Sequence, residues 1–336
     1  MRAAEATAPA RVALAGNPSD GYGGRTISLA IANYAARVAV AESDELEIVP
    51  APQDEVRFAS VGALVDDVRA NGYYGGLRLL KAAVRRFAHH CAEHGSPIDE
   101  RRFSIRYETD IPRGVGLGGS SAIVTAAIRA MSELVEVPVD REELPDLALS
   151  VETRELGITA GLQDRVAQAF GGLTYMNFDP ELVARRGHGA YEPLDASALP
   201  PLLVAHVARA AEPSEIFHSD LRRRFDAGEA SVVRAMVRLA ELADSAREAV
   251  LTGDHVGLGR AMDESFDARR SIAALDPRHV GMVELARSLE AAANFAGSGG
   301  AIVAMPRDEA DLDRLSRGFR ADACEVAECR PAAATA

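Results

Sequence analysis

A run of turn-forming residues, Pro112-Arg113-Gly114-Val115-Gly116-Leu117-Gly118-Gly119-Ser120-Ser121, separates two stretches of different periodicity. Before it, Phe103, Ile105 and Tyr107 alternate with polar neighbours, the pattern of a strand with one buried face. After it, Ala122 to Met131 has the composition of a helix. In the order strand, glycine loop, helix, consecutive backbone N–H groups converge on one concavity, and the helix dipole adds a potential favourable to an anion. Gly114, Gly116, Leu117, Gly118, Gly119, Ser120, Ser121 and Ala122 are therefore candidates to hold a polyphosphate. The hydroxyls of Ser120 and Ser121 can cap the helix or reach a phosphate-bound magnesium ion. A tight turn with a serine N-cap is the alternative reading.

Two common phosphate motifs fit less well. Gly114-x-Gly116-x-x-Gly119 satisfies the dinucleotide fingerprint, but that motif belongs in a parallel unit near the start of a domain, and the strand here is an alternating one deep in the chain. A P-loop ends in Gly-Lys before Ser or Thr, and no lysine follows Gly119.

Around this loop the pattern predicts an α+β chain. Arg11 to Ala15 reads as a strand, and the loop from Gly16 to Gly24 is too rich in turn formers for regular structure to cross it. Apolar positions at Ile27, Leu29 and Ile31, at Val38 and Val40, and at Leu46 and Ile48 suggest several further strands in a mixed or antiparallel sheet. A helix over 77–87 covers that sheet, and another, about 141–156, leads into Gly161-Leu162-Gln163-Asp164. Leu173 to Phe178 is again strand-like. Residues 179–199 show little periodicity and mark the boundary between a first domain, 1–190, and a second, 191–336. The second half alternates a strand at 202–208, helices at about 214–226 and 229–250, and a strand at 301–305 after the glycine run at 297–300. The alanine-rich end, 332–336, is expected to fray.

Composition narrows the partners. The chain of 336 residues has length for about two domains at ~150 residues each. With 37 basic against 50 acidic side chains the net charge is −13, which disfavours nucleic acid and anionic lipid surfaces. The longest apolar candidate, Ile27 to Ala41, is interrupted by Asn33, Tyr34 and Arg37, so no membrane span is expected. Met1 to Glu5 lacks the apolar core of a secretory signal, and three cysteines make no disulfide framework; a cytoplasmic location is expected. The cysteine spacing lacks the paired ligands zinc requires and the eight histidines show no His-Glu-x-x-His pattern, so a catalytic zinc is not expected and any metal is expected to be hard and oxygen-bound.

Three separated segments resemble the GHMP small-molecule kinases. The family's second motif, Pro-x-x-x-Gly-Leu-Gly-Ser-Ser-Ala, is similar to Pro112 to Ala122, with Gly119 as one extra residue in the turn. The first, a strand running into a substrate loop, resembles Ala10 to Asp20, and the third, a glycine loop, resembles Ala296 to Ala301. Within the family the wording is similar to glucuronokinases at Gly16 to Tyr22, Tyr73 to Leu80, Gly118 to Val124, Gly161 to Val166, and His218-Ser219 with Arg222 to Arg224. Other branches carry Glu-His where this chain has Asn17-Pro18. The resemblance implies a two-domain GHMP kinase fold and an ATP- and Mg2+-dependent sugar kinase, acting on the anomeric hydroxyl of a small sugar acid, D-glucuronate. Galactose, heptose or mevalonate-like substrates, a dinucleotide-dependent oxidoreductase, and a non-catalytic binding protein are the alternatives.

Carried over by position, the resemblance assigns Asp164 as the catalytic carboxylate and Arg11 as the cation beside it. The residue-level alternative for Asp164 is a helix N-cap, and for Arg11 an exposed edge-strand arginine. Glu152, with Glu155 as its rival, corresponds to the magnesium carboxylate, together with Ser120. Asn17 and Asp20, short polar side chains on a glycine loop, are candidates to bind sugar hydroxyls, with Gly161 and Gln163 beside them. An Asx turn at Pro18 is the other reading of Asn17. Gly297, Ser298 and Gly299 would wall the site near the phosphates. A uronate carboxylate calls for a guanidinium fork, and Arg113, Arg165 and the Arg222-Arg223-Arg224 cluster are available, although a triple arginine on a helix is usually a solvated face.

Overall fold

The computed structural model describes residues 1–54, 59–62, 75–207, 214–308 and 310–335, with side chains from Asp220 onward in the segment that starts at 214. Tyr73 and Tyr74, and the side chains of His218 and Ser219, lie outside the described residues.

The first sheet is organised on one strand. β1 (Ala3–Ala15) pairs antiparallel along the length of β2 (Arg25–Glu42). On its other edge β2 serves two partners: β4 (Phe103–Thr109) pairs with Ala36–Glu42, and β5 (Leu173–Asn177) with Arg25–Leu29. A short β3 (Glu47–Ile48) lies parallel to β4, and β6 (Ala190–Leu194) is antiparallel to β5. The apolar groups at 27–31 and 38–40 thus belong to one strand of 18 residues rather than two. It survives Asn33 and Tyr34 because the register slips there: Pro9 faces Ala35 while Ala10 faces Ile31. Pro9 has no N–H to contribute, which suits a bulge.

The gap between β4 and β5 along β2 is filled by the end of the chain. Ala332 N–H donates to Ala30 O at 2.8 Å, Gly172 N–H to Ala332 O at 3.1 Å, and Thr335 N–H to Phe170 O at 2.8 Å. Asn33, at the bulge, donates to Glu328 O and accepts from Arg330 N–H. The end is therefore docked and not frayed as far as Thr335. The middle of β2 would otherwise present unpaired backbone groups. The approach requires glycine at 171, where a Cβ would stand 2.1 Å from Ala333 O.

Helix α1 (Gly76–Glu93) packs on α2 (Gly119–Val135), which lies against β1 and β2. The helix expected over 141–156 is α3 (Leu144–Ser150) followed by a π-helical turn, Val151–Glu155, a form frequent at functional sites. α4 (Gln163–Phe170) precedes β5. The aperiodic stretch 179–199 contains α5 (Pro180–Arg186), capped by Asp179, as well as β6. The second sheet is antiparallel, ordered β10-β7-β9-β8, from β7 (Leu203–Val207), β8 (Ala292–Phe295), β9 (Ala301–Met305) and β10 (Cys324–Glu328). Helices α6 (Ser214–Asp226), α7 (Ala230–Thr252), α8 (His255–Arg270), α9 (Pro277–Ser288) and α10 (Asp311–Ala321) accompany it. Among the described residues no helix is long and apolar enough to cross a membrane.

β1 offers its second edge to two loops. Arg11 N–H donates to Leu117 O at 3.2 Å, and Ala13 N–H to Ala296 O at 2.8 Å. One strand thereby holds the glycine loop of the first domain and the glycine loop of the second side by side.

Candidate active site

The loop before α2 is built from left-handed backbone. Gly114, Gly116 and Gly118 have φ of 74°, 76° and 79°, which glycine adopts without steric cost. No side chain caps α2, so the serine-cap alternative is not realised. The first N–H groups of a helix have no intrahelical acceptor and here remain available to a ligand. Ser121 is fully buried, and its hydroxyl donates to Gly118 O at 2.9 Å. Ser120 is half-buried, and its hydroxyl makes no hydrogen bond among the described residues. Gln168 fixes the turn from behind, donating to Gly118 O at 2.8 Å.

Arg11 is 3% exposed and joins this loop to the rest. Its Nε donates to Asp164 Oδ1 at 2.7 Å, and one terminal nitrogen donates to Gly116 O and Ala296 O, each at 2.7 Å. The edge-strand reading of Arg11 is thereby replaced. Asp164 is paired through Oδ1 with a planar guanidinium, which leaves Oδ2 turned to the glycine loop: a Cβ at Gly118 would lie 3.5 Å from it. Asp164 is not an N-cap either. The N-cap residue of α4 is Leu162, and the carboxylate that serves the helix start comes from another loop, Asp20 Oδ2 accepting Gln163 N–H at 3.1 Å. Gly161 makes this possible, since a Cβ there would stand 2.1 Å from Asp20 Oδ2. Burial, and to a smaller extent the charge of Asp164, pushes the Asp20 carboxyl up to about 6.

Asn17 lies between two elements of the site. Its Nδ2 donates to Gln163 Oε1 at 3.3 Å, and its Oδ1 accepts from Arg269 at 2.9 Å. Gln163 is 1% exposed, and its Nε2 has no hydrogen-bond partner among the described residues. Arg269, on α8, also donates to Gly297 O at 2.5 Å and Ser298 O at 2.8 Å, so one buried guanidinium fastens the loop after β1 to the loop after β8. Burial lowers its pKa to about 9. Nothing in the periodicity of α8 marks Arg269, and sequence reading missed it.

The glycine loop after β8 closes against the glycine loop before α2 by glycine-to-glycine contact. A Cβ at Gly297 would stand 2.1 Å from Gly116 O, and one at Gly116 would stand 2.8 Å from Gly299 O. Gly297, Ser298 and Gly299 thus form the wall that faces Gly116 and Arg11.

Glu152, assigned to magnesium by resemblance, is placed differently. Its carboxylate is buried and ion-paired with Arg165, whose other arm donates to Gly161 O at 2.6 Å. Burial lowers the Arg165 pKa to about 10. The pair ties the π-helical turn to the bend before Asp164. Glu155 pairs instead with Arg85. Of the arginine cluster, Arg224 is held by Glu229 and Ile272 O, and Arg223 is exposed beside Asp220. Of the three, Arg222 alone reaches the loop after β1, bonded to Gly21 O with its guanidinium 4.5 Å from the centre of the Tyr22 ring. Arg113 is exposed on the glycine loop.

A glycine loop opening on an uncapped helix start, a carboxylate clamped by arginine beside it, and a polar loop against the bend before that carboxylate are the features a small-molecule phosphotransferase needs. The chain belongs to the GHMP kinases: the family model for the GHMP kinases N terminal domain matches residues 78–172, and that for GHMP kinases C terminal matches residues 246–324. It is 43% identical over 302 residues to glucuronokinase 1 of Arabidopsis thaliana, covering 88% of this chain and 82% of that one. It is likewise 43% identical over 303 residues to probable glucuronokinase 2 of the same plant, with the same coverage. Among solved structures, phosphomevalonate kinase of Streptococcus pneumoniae, in complex with phosphomevalonate and AMPPNP, superposes with a TM-score of 0.76 at 18% identity, over 98% of this chain and 100% of that one. Galactokinase of Lactococcus lactis, complexed with galactose, gives 0.74 at 14% identity, over 99% and 95%. These two similarities establish the fold.

Proposed function

We propose that the chain acts as a glucuronokinase, transferring the terminal phosphoryl group of ATP to the anomeric hydroxyl of D-glucuronate and releasing ADP and glucuronate 1-phosphate. The observation that carries the reaction is the Arg11–Asp164 pair, which aims the unpaired Oδ2 at the mouth of the glycine loop. The substrate follows from the 43% identity to the Arabidopsis glucuronokinases.

The uncapped start of α2 and the left-handed glycines before it fit a triphosphate, and Gly297 to Gly299 close over it. Asp164 Oδ2 orients the sugar hydroxyl and takes its proton as the oxygen bonds to the terminal phosphorus and the bond to the leaving ADP oxygen breaks. Arg11 keeps Asp164 in place and sets positive charge beside the transferred group. Asp20 and Asn17 accept and donate hydrogen bonds to the sugar's hydroxyls, with Gln163 Nε2 as a further donor.

For magnesium the residues fit in part. Ser120 supplies a hydroxyl oxygen without another partner among the described residues, a donor suited to this ion. Glu152 contributes only where it leaves Arg165; as placed, it serves the bend before Asp164. When bound, the ion neutralises phosphate charge. A cytoplasmic setting suits three cysteines that are all free and buried.

ADP release with ATP and Mg2+ across D-glucuronate, D-galacturonate, D-galactose, D-glucose, L-arabinose and mevalonate tests this reading, with Asp164→Ala beside the wild type. Turnover on glucuronate that disappears in the variant is expected. Turnover on another member alone discards the sugar acid, and silence throughout discards the kinase.

A further inference from the structure

Away from the residues described above, the C-terminal end of α1 gathers metal-binding side chains. His90 and His94 are one helical turn apart, so their rings share a face, with centroids 4.2 Å apart. Glu143, at the start of α3, reaches the same point, and one donor atom from each of the three lies within 4.8 Å of the others.

We propose that His90, His94 and Glu143 form a site for a divalent transition metal of the zinc class, bracing the end of α1 against the start of α3. Two imidazoles and one carboxylate are the donor set of such an ion, and a water completes a tetrahedron. His94 Nδ1 stands 2.8 Å from His90 O, and donating to that carbonyl leaves Nε2 with its lone pair free. His90 is only 6% exposed, yet its ring nitrogens make no hydrogen bond among the described residues. Glu143 is exposed and makes no ion pair among the described residues. The last carbonyls of α1 add negative potential at the same end. The cation facing the cluster, Arg86, is engaged with Ser150 Oγ at 2.9 Å and with Glu93 at 3.5 Å.

None of the three residues contacts the Arg11–Asp164 constellation, so the site does not depend on the proposed reaction. The test is calorimetric titration of the chelator-treated, nucleotide-free protein with Zn2+, alongside His94→Ala, Glu143→Gln and the exposed neighbour His89→Ala. The expected result is one zinc per chain, a melting temperature raised by saturating zinc, and no response to Mg2+. Either ligand variant should weaken zinc binding by at least about 100-fold, the upper end of what loss of an outer hydrogen bond to a ligand costs. His89→Ala should bind as the wild type, and all three variants should keep kinase turnover, which shows that they fold. X-ray absorption on the zinc-loaded protein should show two imidazoles. Absence of zinc binding, or binding unaltered in both ligand variants, overturns the proposal.

Discussion

Adding one methyl group at Gly297 should disable the enzyme without replacing any side chain that takes part in the chemistry. The Cβ of Gly297→Ala would stand 2.1 Å from Gly116 O and 2.7 and 2.8 Å from the terminal nitrogens of Arg11. Ordinary contact begins at 3.4 Å, so the two glycine loops must part by 3.4 − 2.1 = 1.3 Å, or Arg11 must give up its place against Gly116. The backbone of Gly297 is not left-handed, so the whole perturbation is steric. Overpacking of this kind costs about 1–3 kcal/mol of stability. The catalytic loss is larger, because a reacting group misplaced by about 1 Å lowers the rate on the order of 10²-fold. Steady-state ADP release and calorimetric melting measure the two effects separately. Gly281→Ala inside α9, where a Cβ meets nothing within 4 Å, is the control: turnover should be unchanged and the melting temperature should not fall, since alanine favours the helix. Turnover indistinguishable from wild type in Gly297→Ala, at an unchanged melting temperature, would refute the closure of one loop on the other.

Four further outcomes follow from the same geometry. Asp164→Asn keeps the size of the side chain and should lower kcat by roughly 10²–10⁴-fold while ATP binding, followed by calorimetry, persists. Arg269→Gln withdraws the donor shared by Asn17, Gly297 and Ser298; stability should fall by about 1–3 kcal/mol, and KM for the sugar should rise more than KM for ATP. Asp20 titrates near 6 in the folded protein against 3.8 unfolded, so its contribution favours folding below 3.8 and is lost as pH rises towards 6. The protonated carboxyl is a poorer acceptor, so KM for the sugar should rise as pH falls through about 6, and Asp20→Asn should flatten both profiles, read by denaturant titration and kinetics. Ser120→Ala should raise the magnesium concentration for half-maximal rate roughly tenfold, the worth of one bond to a charged group, while Ser121→Ala, whose hydroxyl is spent on Gly118 O, should affect stability instead.

What the sequence disclosed was local. The loop from Gly114 to Ser121 is legible because its glycines mark left-handed backbone between a period of two and a helical period, and Arg11 and Asp164 were reached through motifs that resemble a family. The missed features depend on residues far apart in the chain. Arg269 reads as one arginine on a polar helix, and only the folded chain brings it to Asn17, 252 residues earlier. The resemblance puts a magnesium carboxylate at Glu152, but sequence spacing does not reveal that Arg165, in the first turn of α4, folds back to neutralise it. The apolar groups at 27–31 and 38–40 read as separate strands because the bulge opposite Pro9 and the docked C-terminal segment, which carry β2 across Asn33 and Tyr34, lie outside any local window. Asp164 resembles an N-cap in one dimension; Asp20 takes that role because Gly161 leaves it room.

The most direct measurement on the central claim is the position of the new phosphate. Carbon-13 and phosphorus-31 spectra of the product from C1-labelled D-glucuronate should show phosphorus coupled to the labelled carbon, in a reaction abolished by Asp164→Asn. Phosphate on any other oxygen, or undiminished product formation by the variant, would contradict an anomeric hydroxyl presented to Asp164 at the mouth of the glycine loop.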